Sequence, residues 1–164
     1  MARRVFFSFH FKPDSWRAAQ VRNMGVIEGN TPVSDNDWEE IKGGGDEAIK
    51  QWISDQLHGR SCTVVLVGEK TAGRKWIKHE IKESWNSGKG VVGICIHKLK
   101  NQDGEQSEKG NNPFDDFTVD GTSLSDIVKL YNPPYQRSDN VYNYIEEHIS
   151  DWVEEAINIR ANYS

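Results

Sequence analysis

Two short runs, Cys62-Thr-Val-Val-Leu-Val67 and Val91-Val-Gly-Ile-Cys-Ile96, are apolar almost throughout rather than at alternate positions. Strands of that kind leave no face for water, so they belong in a sheet covered on both sides, as parallel sheets are. Arg4-Val-Phe-Phe-Ser-Phe9 reads as a buried first strand of the same sheet. Between and beyond these runs the apolar period changes from strand to helix. Ile49, Trp52, Ile53 and Leu57 form one helical stripe, with Asp46 placed to cap it and Gly59 to end it. Ile77, Ile81 and Trp85 recur at i, i+4 and i+8 within Arg74 to Asn86, closed by Gly88 and Gly90. The longest helix is predicted from Asp139 to about Arg160, buried along Val141, Ile145, Ile149, Trp152, Ala156 and Ile157 and acidic on its other face.

Weaker signals complete the chain. Pro13-Asp14 offers a stop and a cap for a short first helix, with Trp16, Ala19, Gln20 and Asn23 sharing one face. Gly25 to Glu28 reads as a brief second strand, and Ile127 to Tyr131 as a final short one. Asn30 to Gly45 is loop-like, and Lys98 to Ser123 is a long polar stretch anchored only by Pro113-Phe114 and Phe117. Loops of that length inside a compact domain are usually functional or disordered. At 164 residues the chain fits one domain, 1–164. Strands alternating with helices through right-handed crossovers define an α/β, flavodoxin-like three-layer sandwich with a mainly parallel central sheet of about five strands.

The formal charge of −5 argues against non-specific nucleic-acid binding, which draws on a cationic surface. No apolar run approaches a membrane span, and no signal-type apolar core precedes His10 and Lys12. A cytoplasmic protein is therefore expected, with Cys62 and Cys95 read first as buried free thiols and second as a disulfide.

Ligands of parallel sheets bind beyond the carboxyl ends of the strands. Trp76 and Glu80 are four apart at the start of a helix that follows such an end, so they share a face. That face lies about 100° from the Ile77/Ile81/Trp85 stripe, at the edge of the buried zone. Spacing alone also suits an ordinary solvated glutamate with Trp76 capping the core. The first strand ends in Ser8-Phe9-His10-Phe11, where Ser8 and His10 offer hydrogen bonds and the rings could stack on a base. On sequence alone His10 reads more readily as a surface-loop histidine, and Asp14 equally well as a cap. Arg74 and Lys75 stand near enough to the crevice to meet a pyrophosphate. Neither a Rossmann fingerprint nor a P-loop is present, the five histidines are scattered, neither cysteine has metal-ligand spacing, and Ser8 has no base partner in motif form.

The chain resembles the ThsB family of TIR-like proteins from bacterial Thoeris anti-phage systems. The resemblance is carried by Arg4-Val-Phe-Phe-Ser-Phe-His10 with Val21-Arg22-Asn23, Ile49-Lys-Gln-Trp-Ile53, Ser61-Cys-Thr-Val-Val-Leu-Val-Gly68, Thr71…Trp76…Glu80-Ile81, Gly110-Asn-Asn-Pro-Phe114 and Trp152…Ala156-Ile157. One departure from the commoner plant and animal TIR pattern is Ile77, where that pattern has Cys after the tryptophan. The resemblance implies a domain that takes NAD⁺ as substrate and needs no cofactor. It implies cleavage of the nicotinamide–ribose bond and closure of the ADP-ribose into a cyclic ADP-ribose-type signal that activates a separate effector. Glu80 would then be the catalytic carboxylate, and Ser8, Phe9, His10, Thr71 and Trp76 would line the substrate pocket. It further implies self-association on activation by a phage-derived trigger, in the bacterial cytoplasm. The rival reading is a TIR-like scaffold without catalysis, which the same fold would serve. A phosphoacceptor receiver is disfavoured, because the candidate central strand ends in Val67-Gly68 rather than an aspartate.

Overall fold

A computed structural model describes residues 3–29, 41 and 43–163. In chain order the elements are β1 (Arg4–Ser8), α1 (Phe11–Arg22), β2 (Glu28–Gly29), α2 (Gly45–Leu57), β3 (Cys62–Val67), α3 (Lys75–Asn86), β4 (Gly90–Cys95), β5 (Thr118–Val119), β6 (Thr122–Ser123), β7 (Leu130–Tyr131) and α4 (Ser138–Ala161). Five strands pair in parallel in the order β2-β1-β3-β4-β7, and β5 and β6 form a separate antiparallel ribbon. This is the flavodoxin-like order, with its reversal point between β1 and β3. The expected loop from Asn30 to Gly45 falls largely outside the described residues.

Every residue of β3 and β4 is buried, as their unbroken apolar sequence requires. On one face Val5, Phe7, Val64, Leu66, Val92 and Ile94 pack against α1 and α4. On the other, Phe6 meets α2, while Val65, Val67 and Val91 meet α3 and the segment around Phe114. Side chains alternate along a strand, so Ser8 shares the α2/α3 face with Phe6. Register matters here. Ser8, the last residue of β1, pairs with Val65, so β3 runs two residues further, to Val67. The resulting step leaves a notch above Ser8 that the following loop and α3 close.

Several local expectations shift. Asp14 does not cap α1: it lies inside the helix, buried with Arg17, Ala18 and Val21, while Trp16 points outward at 55% exposure. The buried face is therefore 14/17/18/21 rather than the one through Trp16, because Asp14 and Arg17 neutralise each other and enter as a pair. Asp46 sits in the first turn of α2 rather than at its cap, which is Gly44. Gly90 opens β4 rather than closing α3, and a Cβ there would lie 2.8 Å from the backbone of Ala156 and Ile157, where α4 crosses the sheet. The final strand is only Leu130–Tyr131, since Ile127 and Val128 turn inward after a 3₁₀ turn at Leu124–Asp126. Cys62 and Cys95 are buried free thiols.

Arg17 ties α1 to the long segment after β4. Its Nε donates to Leu99 O at 2.8 Å, Nη1 to Asp14 Oδ1 at 3.1 Å, and Nη2 to Glu105 O at 2.9 Å. With both side chains almost wholly buried, removing one partner strands the other's charge. Arg17→Ala should cost about 3–5 kcal/mol in urea unfolding. The double change Asp14→Asn/Arg17→Met should recover part of that loss; an Arg17→Ala protein as stable as wild type would contradict the pairing.

Candidate functional site

Glu80 is delivered by α3, and α3 is locked to the sheet by a buried polar chain. Thr63 Oγ1 and Ser84 Oγ lie 2.6 Å apart, and the Ser84 hydroxyl is 2.6 Å from the backbone carbonyl of Glu80. Ile77, Ile81 and Trp85 bury the same helix against β3 and β4. One turn of helix therefore has a fixed position relative to the end of β1. There Ser8 Oγ donates to Glu80 Oε1 at 2.7 Å, across 72 residues of sequence.

The contact is more enclosed than helical spacing suggested. Glu80 retains 8% exposure and Ser8 none. Desolvation pushes the Glu80 carboxyl up to about 8, with the Ser8 hydrogen bond acting in the opposite direction. At neutral pH the site thus holds a protonated carboxyl group beside a hydroxyl donor. A buried acid with that property at the sheet's reversal point is what a functional site looks like, and a solvated helix glutamate is not.

The loop between β3 and α3 forms the roof. Thr71 is fully buried and its Oγ1 accepts from Gly68 N at 2.8 Å, folding the loop back on the strand end. Gly68 is needed for close approach, since a Cβ there would overlap the Asp14 carboxylate, and a Cβ at Gly110 would overlap the Gly68 carbonyl. Phe9 is half-buried and stacks on Phe11, with ring centroids 6.2 Å apart. His10 is the cap residue of α1; its Nδ1 is sealed without a partner, and desolvation followed by Arg74, Lys70 and Lys12 lowers its pKa, keeping it neutral. Trp76 is half-buried, packs with the Phe6, Ile49, Ile53 and Leu57 cluster, and meets His79 edge-on at 5.7 Å. Lys75 is committed elsewhere, with Nζ 2.6 Å from Asp46 Oδ2 and 4.8 Å from the Trp76 ring centre. Arg74 caps α3 and is exposed.

Of the residues singled out in sequence, Ser8 and Glu80 touch directly, and Thr71 folds the β3–α3 loop back on the end of β3. Phe9, His10 and Trp76 sit on the elements that bound the notch. Asp14, Arg17, Gly68 and Gly110 support it, a role that no motif in the sequence marks. The available signal was the 14/17/18/21 spacing, in which an Asp-x-x-Arg pair continues into Ala18 and Val21.

A five-stranded parallel sheet in this order, covered by helices on both faces, is consistent with a TIR-like fold. Residues 6–101 match the model described as Thoeris protein ThsB, TIR-like domain. The chain is also 37% identical over 133 residues, covering 76% of its own length and 69% of the other's, to the candidate cyclic ADP-D-ribose synthase ThsB1 of Bacillus cereus (strain MSX-D12). The chain belongs to the ThsB family of TIR-like proteins.

The raised carboxyl pKa makes stability depend on pH. Between the unfolded value of about 4.5 and the folded value of about 8, the native state holds a proton that the unfolded chain releases. Native stability from this group is therefore greatest at and below the unfolded value and falls as pH rises through about 8. Glu80→Gln should flatten that decline, a difference on the order of a few kcal/mol by pH 9. Parallel stability profiles for the two proteins across pH 5 to 9 would contradict a buried, protonated Glu80.

Proposed function

We propose that this chain cleaves NAD⁺ between nicotinamide and ribose and closes the ADP-ribose into a cyclic ADP-ribose-type signal that activates a separate effector in anti-phage defence. The observation that carries the reading is the Ser8–Glu80 contact, an ionisable carboxyl sealed at the reversal point of the sheet. Its family membership and the activity named for ThsB1 support it.

The chemistry asks for little more than such a group. The C1′–N bond breaks with its electron pair leaving on nicotinamide, which departs neutral, and positive charge develops on the ribosyl carbon. A carboxylate held beside that carbon stabilises the charge with no reorganisation, because α3 is already locked to β3. The pyridinium of bound NAD⁺ brings a positive charge next to Glu80, which favours the ionised form and lowers its pKa, releasing the proton to solvent. Ser8 then donates to the carboxylate and holds one oxygen in place. A nucleophilic atom of the same ADP-ribose attacks C1′ and gives up its proton, completing the ring. Trp76, Phe9 and Thr71 enclose the reacting carbon, so that the tethered nucleophile competes well against water. His10, kept neutral, adds no charge that would oppose the cation.

Because Glu80 is almost sealed, substrate entry requires the Gly68–Arg74 roof to move. Self-association of the domain and a phage-derived trigger would supply that movement, in the bacterial cytoplasm. Among the described residues no helix is long and apolar enough to cross a membrane.

Glu80→Gln should lower NAD⁺ consumption and cyclic product at least roughly a hundredfold in phage-challenged cells, measured by mass spectrometry, with the protein still folded. Ser8→Ala should leave residual turnover and move the acidic limb of its pH profile upward, because the hydrogen bond that favours the carboxylate is gone. Undiminished product from a folded Glu80→Gln protein would overturn the catalytic reading in favour of a scaffold.

A further inference from the structure

The Gly110-Asn-Asn-Pro-Phe114 stretch is not used by the chemistry above, yet it borders a cavity of about 650 Å³. That volume lies within the range of small-molecule sites, roughly 300–1,000 Å³. The cavity opens between residues 109–112 and 125–130, the latter leading into β7. Its apolar floor is Val128 and Leu130, and Leu130 and Phe114 pack where Gly93 has no side chain.

The polar part of the lining is one-sided in charge. Lys109 and Lys129 both face the cavity, with the amide of Asn111 and the hydroxyl of Ser125. Among the described residues no carboxylate lines it; Asp115, Asp116 and Asp126 sit in the flanking turns but outside the lining. Among the described residues neither lysine has an ion-pair partner. Two unpaired ammonium groups around one concavity, in a chain of net charge −5, run against the charge of the rest of the surface. The walls are also built. Asn112 caps the Pro113–Asp116 turn by accepting from Phe114 N at 2.9 Å, and Gly110 is pressed against the Gly68 carbonyl.

We infer that this cavity is a second binding site, separate from Ser8 and Glu80, for a phosphate-bearing small molecule of nucleotide size. Lys109 and Lys129 would grip adjacent phosphates through charge-assisted hydrogen bonds, Asn111 and Ser125 would add neutral ones, and the Val128/Leu130 floor would take the less polar part. Two lysines on the wall of one cavity suit a diphosphate better than a single phosphate. The inference does not depend on the catalytic role of Glu80.

The test is calorimetric titration of the full chain carrying Glu80→Gln, so that nothing is turned over, with ADP, inorganic pyrophosphate and adenosine as probes. ADP and pyrophosphate should each bind at one site, more weakly as salt rises, and adenosine should not bind. Replacing both lysines (K109Q/K129Q) should weaken the two anions at least about tenfold, by loss of two charge-assisted contacts. Both side chains are exposed, so this variant should melt like its parent. Amide shifts on adding pyrophosphate should map to residues 109–112 and 125–130. Pyrophosphate and ADP binding alike would place the phosphates at the core of recognition; tighter ADP binding would add the nucleoside on the apolar floor. Failure of both anions to bind, equal binding by K109Q/K129Q, or shifts confined to the Ser8–Glu80 notch would overturn the inference.

Discussion

The hydrogen bond between Ser8 and Glu80 joins two elements that the rest of the architecture must bring together and hold. It exists because β1 stops three residues after β3 begins to pair with it, at Val65, and because β3 continues to Val67 before the chain turns into α3. Its enclosure sets its chemistry. Were Glu80 exposed, its carboxyl would titrate with ordinary glutamates and a neighbouring positive charge would be screened by water. Burial raises its affinity for a proton and, for the same physical reason, strengthens its attraction for a cationic sugar. In the proposed reaction, one desolvated position would serve both the resting neutral state and the stabilising charged state.

Holding that position takes more than the Ile77/Ile81/Trp85 stripe. Apolar packing fixes which face of α3 is buried but tolerates sliding, whereas the Thr63–Ser84 contact and the Ser84 hydroxyl beside the Glu80 carbonyl fix the helix along its axis. Arg17 plays a comparable part on the opposite face, where it ties α1 to Leu99 and Glu105 and keeps Asp14 under Gly68. The roof of the notch is accordingly supported from both sides of the sheet, by residues that never approach Glu80 themselves.

The sheet was readable because β3 and β4 are apolar at nearly every position, and the three long helices because their stripes keep helical spacing over two turns or more. The face of α1 was not readable in the same way. A charged pair occupies two of its buried positions, so a search for apolar periodicity selects Trp16, which the fold leaves in solvent. The pairing of Ser8 with Glu80 also lies beyond periodicity. Two residues separated by 72 positions meet only through strand order and register, and those are set by crossover handedness and by the length difference between β1 and β3. The polar stretch from Lys98 to Ser123 misleads for another reason. Its few apolar residues include Phe114, wholly buried beside Gly93, so composition understates how firmly its second half is packed.

On the proposed reaction the carboxyl of Glu80 is a buried acid that ionises when the cationic end of the dinucleotide arrives. The direct measurement is a ¹³C carboxyl titration of Glu80, assigned by the signal lost in Glu80→Gln, with and without an NAD⁺ analogue whose nicotinamide–ribose linkage cannot break. A midpoint near 8 is expected in the free protein and a lower one in the complex. A midpoint like that of an exposed glutamate in the free protein, or one that does not move when the analogue binds, would contradict it.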